Sequence, residues 1–326
     1  MPTRDFGRAV RRPVLALALG LGIASCESPT GVGAVDLRLV APITGLGSLA
    51  FAVRTAPDGS IFLTHGGLLT RIEALGRGRR TETVLGSLGA DVALSPDGKV
   101  AAATTVFGGE LQFVSTSSGG LLATTPVGHQ PYRVAFSPSG GDVYVSTMDG
   151  WVFRVDAVSH AKVDSIELSG GLEGLAVHPD GTIAVSSFNF NLWLLDPATL
   201  DVIVTRNIVA PGKDLVFSRN GGQLFVATEN LTGGVLVLHG TSLQTLGAID
   251  FDGDDPIFPF GLALSPDGRA MVVTSPYNGA IALVDVQARR VVRTRSVPGK
   301  PRRVSFAADG SRAFIANENG YVNVVR

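Results

Sequence analysis

Leu262-Ala-Leu-Ser-Pro-Asp-Gly-Arg-Ala-Met-Val-Val-Thr274 decides the fold. Two short apolar strands flank the tetrapeptide Ser265-Pro-Asp-Gly268. Proline presets φ for the first corner of a turn, aspartate accepts local backbone hydrogen bonds, and glycine closes the turn in the left-handed conformation. Elsewhere in the chain the phrase returns as Ala56-Pro-Asp-Gly59, Ser95-Pro-Asp-Gly98, Ser137-Pro-Ser-Gly140, His178-Pro-Asp-Gly181, Ser218-Arg-Asn-Gly221 and Ala307-Ala-Asp-Gly310. Between the turn glycines the steps are 39, 42, 41, 40, 47 and 42 residues. Seven copies at that period predict an all-β chain: a seven-bladed β-propeller with one four-stranded blade per copy.

Within a copy, strand a precedes the turn, as in Val134-Ala-Phe136, and alternates large with mostly small residues. Period 2 puts the large side chains on one face, so neighbouring blades nest bulky side against flat side. Strand b follows the turn (Val143-Tyr-Val145), and strand c is a run such as Leu192-Trp-Leu-Leu195. Strand c often ends in an aspartate (Asp156, Asp196, Asp285) where a hairpin into strand d wants a side-chain acceptor. The last copy stops at its strand c, Tyr321-Val-Asn-Val-Val-Arg326. An alternating stretch without a partner, Val35-Asp-Leu-Arg-Leu-Val40, precedes the first full copy. This N-terminal strand is expected to pair with residues 321–325 and complete blade 7, closing the ring without a bare edge.

Before it lies a targeting segment, residues 1–25, to be kept apart from the fold. Arg4, Arg8, Arg11 and Arg12 form its basic region, and about ten apolar residues follow, too few to span a bilayer. The segment runs into Ile23-Ala-Ser-Cys26, the chain's single cysteine, which rules out an intrachain disulfide. This pattern resembles a bacterial lipoprotein signal, which implies lipidation at Cys26, a tether over residues 26–34 and a propeller over 35–326. An ordinary secretory signal would account for the basic and apolar regions; the cysteine after two small residues favours lipidation. Acyl chains on Cys26 would make a membrane the first partner, with no spanning helix. Glu27 beside the cysteine is compatible with an outer-membrane address, on the periplasmic or surface face of the cell envelope. Without residues 1–25 the chain has 23 basic and 27 acidic residues, a net charge of −4, which argues against a nucleic-acid-binding surface.

The copies resemble the YVTN family of β-propellers. Gly128-His-Gln-Pro131 through Phe136-Ser-Pro138, and Phe258-Pro-Phe-Gly-Leu262 through Asp267-Gly268, carry that resemblance. Neither Trp151 nor Trp193 precedes an aspartate, so WD-type repeats fit poorly. Leu172-Glu-Gly-Leu-Ala176 and Gly261-Leu-Ala-Leu-Ser265 are similar to phrases of gluconolactonase-like propellers. In that family a metal-binding asparagine precedes the second phrase; here the position is Phe260.

In a propeller the d–a and b–c loops open on one face of the channel. Aligned strands a give two rings at that mouth. One ring holds Asp91, Arg133, Asp214 and Arg303; the other, a residue earlier, holds Tyr132, Glu173, Lys213, Phe260 and Arg302. Aromatic and charged groups on one face are what a binding site requires. A small anion would meet Arg133, Arg302 and Arg303 against Tyr132 and Phe260. The plainer expectation is that acids and bases across the channel pair with each other, Asp91 with Arg133 for instance. Asp250, Asp252 and Asp254 alternate as carboxylates that hold Ca²⁺ do, but no bidentate glutamate follows at loop spacing, which favours a solvated acidic loop. The five histidines fall at different repeat positions and assemble no catalytic set. The expectation is a monomeric, non-catalytic binding or scaffold module without cofactor, its partner a protein, a glycan or a small anion. The alternative is a metal-dependent lactonase-like hydrolase built on Glu173 and Asp214.

Overall fold

The computed structural model describes residues 35–229, 234–251 and 257–326. Their strands form seven four-stranded sheets. Six sheets follow chain order from a to d; blade 1 starts with strand a at Ala50–Thr55 and blade 6 at Gly261–Leu264. In blade 7, strands a (Pro301–Phe306), b (Ala313–Asn317) and c (Tyr321–Val325) take Leu39–Ile43 as their outer strand. The seven-bladed β-propeller predicted from the turn phrase is what forms.

All seven turn glycines have positive φ, between 69° and 104°. Each donates its N–H to the carbonyl three residues back at 2.8–3.0 Å. The turn aspartates accept from the residue two positions on: Asp58 from Ser60, Asp97 from Lys99, Asp180 from Thr182, Asp267 from Arg269 and Asp309 from Ser311. The Asp97 carboxyl, bonded first by Ser95 and then by the Lys99 N–H, is pulled down to about 2. His178 fills the turn serine's slot, with Nε2 on the Gly221 carbonyl at 3.0 Å. The aspartates after strand c are likewise structural: Asp156 and Asp196 each accept two backbone N–H groups of their hairpins, and Asp285 accepts one.

The closing strand sits four residues later than the alternation of Val35 to Val40 suggests. Leu39 pairs with Val325 and Val40 with Val324; after a bulge, Ile43 pairs with Val322. Leu37 has φ 64°, a left-handed conformation that a β-strand cannot continue through. Val35 and Leu37, fully buried, wedge instead among Val272, Leu283, Val304 and Ile315 of blades 6 and 7. The apolar alternation of this stretch therefore reports a plug between blades, and the ladder starts only after it.

The described residues bury their apolar side chains in seven clusters, one at each interface between neighbouring blades. Strand b of blade 6 shows how period 2 builds them: Met271 and Val273 pack toward blade 5, Ala270 and Val272 toward blade 7. The core is thus distributed around the ring, and the channel is left to strand a.

Candidate functional site

Strand a carries a device that alternation alone does not reveal. Near the start of each one, two residues oppose a single residue of strand b. Ala52 faces Thr64 while Phe51 is extra; the same break falls before Asp91, Arg133, Gly174 and Asp214. In blade 7 it takes in Arg302 and Arg303, and in blade 6 Phe260 and Gly261 both bond to Thr274. A bulge of this kind bends the strand and re-aims its side chains. Strand b holds it with hydroxyls: Thr64, Thr104 and Thr274 accept the bulge N–H of Ala52, Asp91 and Gly261 at 3.0–3.3 Å. Thr274 also donates to the Arg302 carbonyl, and Ser186 to that of Gly212, so this position ties blade 6 to blade 7 and blade 4 to blade 5.

The second bulge position builds a charged septum across the channel. Arg133 reaches Asp91 at 3.0 Å and makes a very short contact with Asp214; Arg303 meets the other Asp214 oxygen at 3.0 Å. Arg54, farther along strand a of blade 1, adds a contact to Asp91 at 3.3 Å. Asp214 also accepts the N–H groups of Leu215 and Leu262, both at 3.0 Å. Arg133, Arg303, Asp91 and Asp214 all have side chains no more than 5% exposed. Burial alone would raise the Asp214 pKa, but Arg133 and Arg303 outweigh it and hold the carboxyl below its ordinary range. Burial, reinforced by Arg303, pushes the Arg133 pKa down. The Asp91–Arg133 pairing expected from the sequence is present. Arg133 and Arg303 are in consequence buried and each committed to a carboxylate.

The first bulge position lines the mouth. Tyr132, Glu173, Lys213, Phe260 and Arg302 border one cavity of about 380 Å³, with Glu229, Tyr277 and Lys300 from neighbouring loops. Lys213 bridges Glu173 and Glu229 at 2.8 and 2.7 Å. Burial works against its charge, yet the two glutamates leave its pKa raised. Arg302 pairs closely with Glu318, and its guanidinium stands 4.5 Å from the Phe260 ring and 5.3 Å from Phe51. Phe260 is buried beneath both Arg302 and Arg303, so its face is already occupied. Three cations, Lys213, Lys300 and Arg302, face three glutamates, Glu173, Glu229 and Glu318, so these six charges balance.

Around this mouth the b–c loops expose large aromatic rings. Phe107 of blade 2 is 78% exposed, Phe188 and Phe190 of blade 4 are 53% and 48%, and Tyr277 of blade 6 is 78%. Glu229 and Glu318 lie on b–c loops, and their roles as counter-ions depend on the closed ring. Arg54 escaped the sequence reading although its column announces it: the other copies place Ala93, Ala135, Ala176, Val216, Ala263 and Ser305 there. Asp250 ends strand d of blade 5, opposite Gly234. Asp252, Asp254 and Cys26 lie outside the described residues. Among the described residues no three His, Cys, Asp or Glu side chains are grouped to hold a metal ion, and no helix is long and apolar enough to cross a membrane.

The fold and site together define a seven-bladed β-propeller with a charge-sealed channel and an aromatic-rimmed mouth. No protein-family model matches the chain, and no curated protein does. Among solved structures, a chain of Kuenenia stuttgartiensis hydrazine synthase superposes with a TM-score of 0.76 at 21% identity, covering 87% of this chain and 96% of that one. At that identity the likeness shows the fold alone.

Proposed function

We propose that this chain is a non-catalytic binding propeller of the bacterial cell envelope, tethered by lipid on Cys26, whose mouth face docks a partner protein. The observation that carries the docking is the set of exposed rings on blades 2, 4 and 6 around a mouth whose lysines, arginine and glutamates pair with one another. Water-exposed aromatic side chains gathered on one face mark an interaction surface. They stand on alternate blades around the channel, a spread suited to a macromolecule rather than to one small ligand. The paired mouth charges add orientation and little net attraction, which favours a partner face of mixed charge.

The tether rests on the lipoprotein-like sequence Ile23-Ala-Ser-Cys26 and its basic and apolar lead, and the repeat resembles that of the YVTN family. The hydrolase reading is the weaker one. Both acids it relies on are engaged, Glu173 by Lys213 and Asp214 by two arginines.

Photo-crosslinking tests the docking face. A benzophenone side chain at Phe188, against one at the exposed Val158 of a c–d hairpin, is expected to capture one discrete envelope protein from the first position only. Equal capture from both positions, or none from Phe188, rejects the mouth as the docking face. For the tether, Cys26→Ala should move the protein from the membrane to the soluble fraction or block its maturation. Unchanged fractionation and processing would exclude the anchor.

A further inference from the structure

Below the septum, at the end of the channel where the a–b turns lie, is a second and larger cavity of about 700 Å³. Its volume falls within the range of small-molecule sites. Six blades each contribute the last residue of strand a to its wall: Leu94, Phe136, Val177, Phe217, Leu264 and Phe306. Blade 1 departs from this pattern on one side only. There the wall is Arg54 and Thr55, joined by Ser305, whose hydroxyl meets that of Thr55 at 3.0 Å. The Arg54 side chain is 28% exposed, the most open of the septum's charged groups. Above it, Arg133 and Asp214 form the roof.

The charge of that roof is unbalanced. Arg54, Arg133 and Arg303 face only Asp91 and Asp214, which leaves one positive charge in excess. The Nε of Arg133 is buried without a hydrogen-bond partner. Leu94, Phe136, Val177 and Leu264 stay partly exposed on this wall, and apolar surface facing water is unfavourable. An apolar wall with one excess positive charge at the septum, and the exposed Arg219 at the outer end, fits a ligand with an apolar body and a negative charge.

We propose that this cavity binds an amphipathic monocarboxylate, its carboxylate on the Arg54 side with the Thr55 and Ser305 hydroxyls and its apolar body against the six-blade wall. The ligand's single charge neutralises the septum's excess. A guanidinium is suited to the task because its planar fork donates parallel hydrogen bonds to a carboxylate. This site is at the opposite end of the channel from the docking face and stands or falls independently of it.

The test is photolabelling of the full-length protein with a diazirine analogue of dodecanoate, mapped by peptide mass spectrometry. Label is expected on the peptides carrying Phe136, Phe217 and Leu264, with competition by dodecanoate at least tenfold stronger than by dodecanol or dodecyltrimethylammonium. Arg54→Gln, which leaves Asp91 its contact with Arg133, should reduce that labelling about tenfold. Ala176→Trp, which fills the cavity from the wall of blade 4, should abolish it. The proposal is overturned if the channel peptides are unlabelled in the wild-type protein, or if the alcohol competes as well as the acid. Equal labelling of both folded variants and wild type overturns it too. The alcohol comparison uses wild-type protein alone, so it decides even if a variant fails to fold.

Discussion

Lys213 and Asp214 are neighbours in the chain and belong to different parts of the site. Lys213 stands in the mouth between two glutamates, and Asp214 lies in the septum between two arginines. The bulge separates them, turning consecutive residues of one strand to two levels of the channel. The same split divides Arg302 from Arg303 and Tyr132 from Arg133. One ring therefore seals and the other presents. What the difference teaches is that charge at a propeller mouth is no guide to binding until its depth is known. A buried, doubly paired arginine such as Arg133 is part of the fold, whereas Arg302, paired once and 22% exposed, stands at the rim.

The comparison breaks first at Arg133. Arg133→Ala would take one of two cations from both Asp91 and Asp214 in a dry setting. Breaking a buried ion pair by removing one partner costs about 3–5 kcal/mol, and the lower end applies because Arg54 and Arg303 remain. Arg302→Ala, at the mouth, should cost about 1 kcal/mol or less, because its pair with Glu318 is partly solvated. Urea unfolding of the two variants side by side measures both. Similar losses would mean that septum and mouth are one electrostatic unit.

How far this division could be read beforehand depends on what each feature leaves in the sequence. The turns were legible because each copy needs a glycine at positive φ, and the glycines can be counted. The two rings were legible because seven aligned strands put Asp91, Arg133, Asp214 and Arg303 in one column. The bulge was not. It is a property of pairing, two residues against one, and Phe51-Ala52 or Phe260-Gly261 carries no residue type that announces it. The closing strand was found but placed four residues early, since nothing in Val35-Asp-Leu-Arg-Leu-Val40 shows that Leu37 turns left-handed. Arg54 stands two residues beyond that ring, in a column where the other copies carry alanine, valine or serine.

Acidity should separate the rings on opposite limbs of the stability curve. The folded Asp214 pKa lies below that of the unfolded chain, so its contribution is full above about pH 4 and is lost as pH falls through the folded value. The folded Lys213 pKa is raised, so its contribution is full below about pH 10.4 and is lost as pH rises through the folded value. The deficit of Asp214→Asn relative to wild type should accordingly fade in acid, and that of Lys213→Gln in alkali. Urea midpoints recorded from pH 3 to 11 test this. Two deficits fading on the same limb would show that the residues titrate as one cluster.

A smaller effect is expected at the hydroxyls that hold the bulge. Thr274→Val keeps the shape and removes the acceptor for the Gly261 N–H and the donor to the Arg302 carbonyl. Leaving such buried groups unpaired costs about 1–3 kcal/mol. Amide hydrogen exchange should quicken at Gly261 while the turn amide of Gly268 keeps its protection. Unchanged exchange at Gly261 would mean that the bulge is held by the blades alone.

The smallest effect on stability belongs to the residues expected to matter most for binding. Phe188 is half exposed, and the Lys213 ammonium lies 5.2 Å from its ring. Phe188→Ala should shift stability by no more than about 0.5 kcal/mol, as surface substitutions do. Tyr277→Ala should behave alike apart from its contact with Phe258, a ring pair 5.6 Å apart. If the rim docks a protein, the double variant should lose retention of the crosslinked partner at least tenfold while melting with wild type, because exposed aromatic anchors concentrate binding energy. Arg302→Ala should weaken retention less, since Glu318 already takes much of its charge. Full retention by the double variant would move the docking surface off the rim. A large drop in melting temperature would instead make the rim part of the fold, erasing the distinction between the ring that seals and the ring that presents.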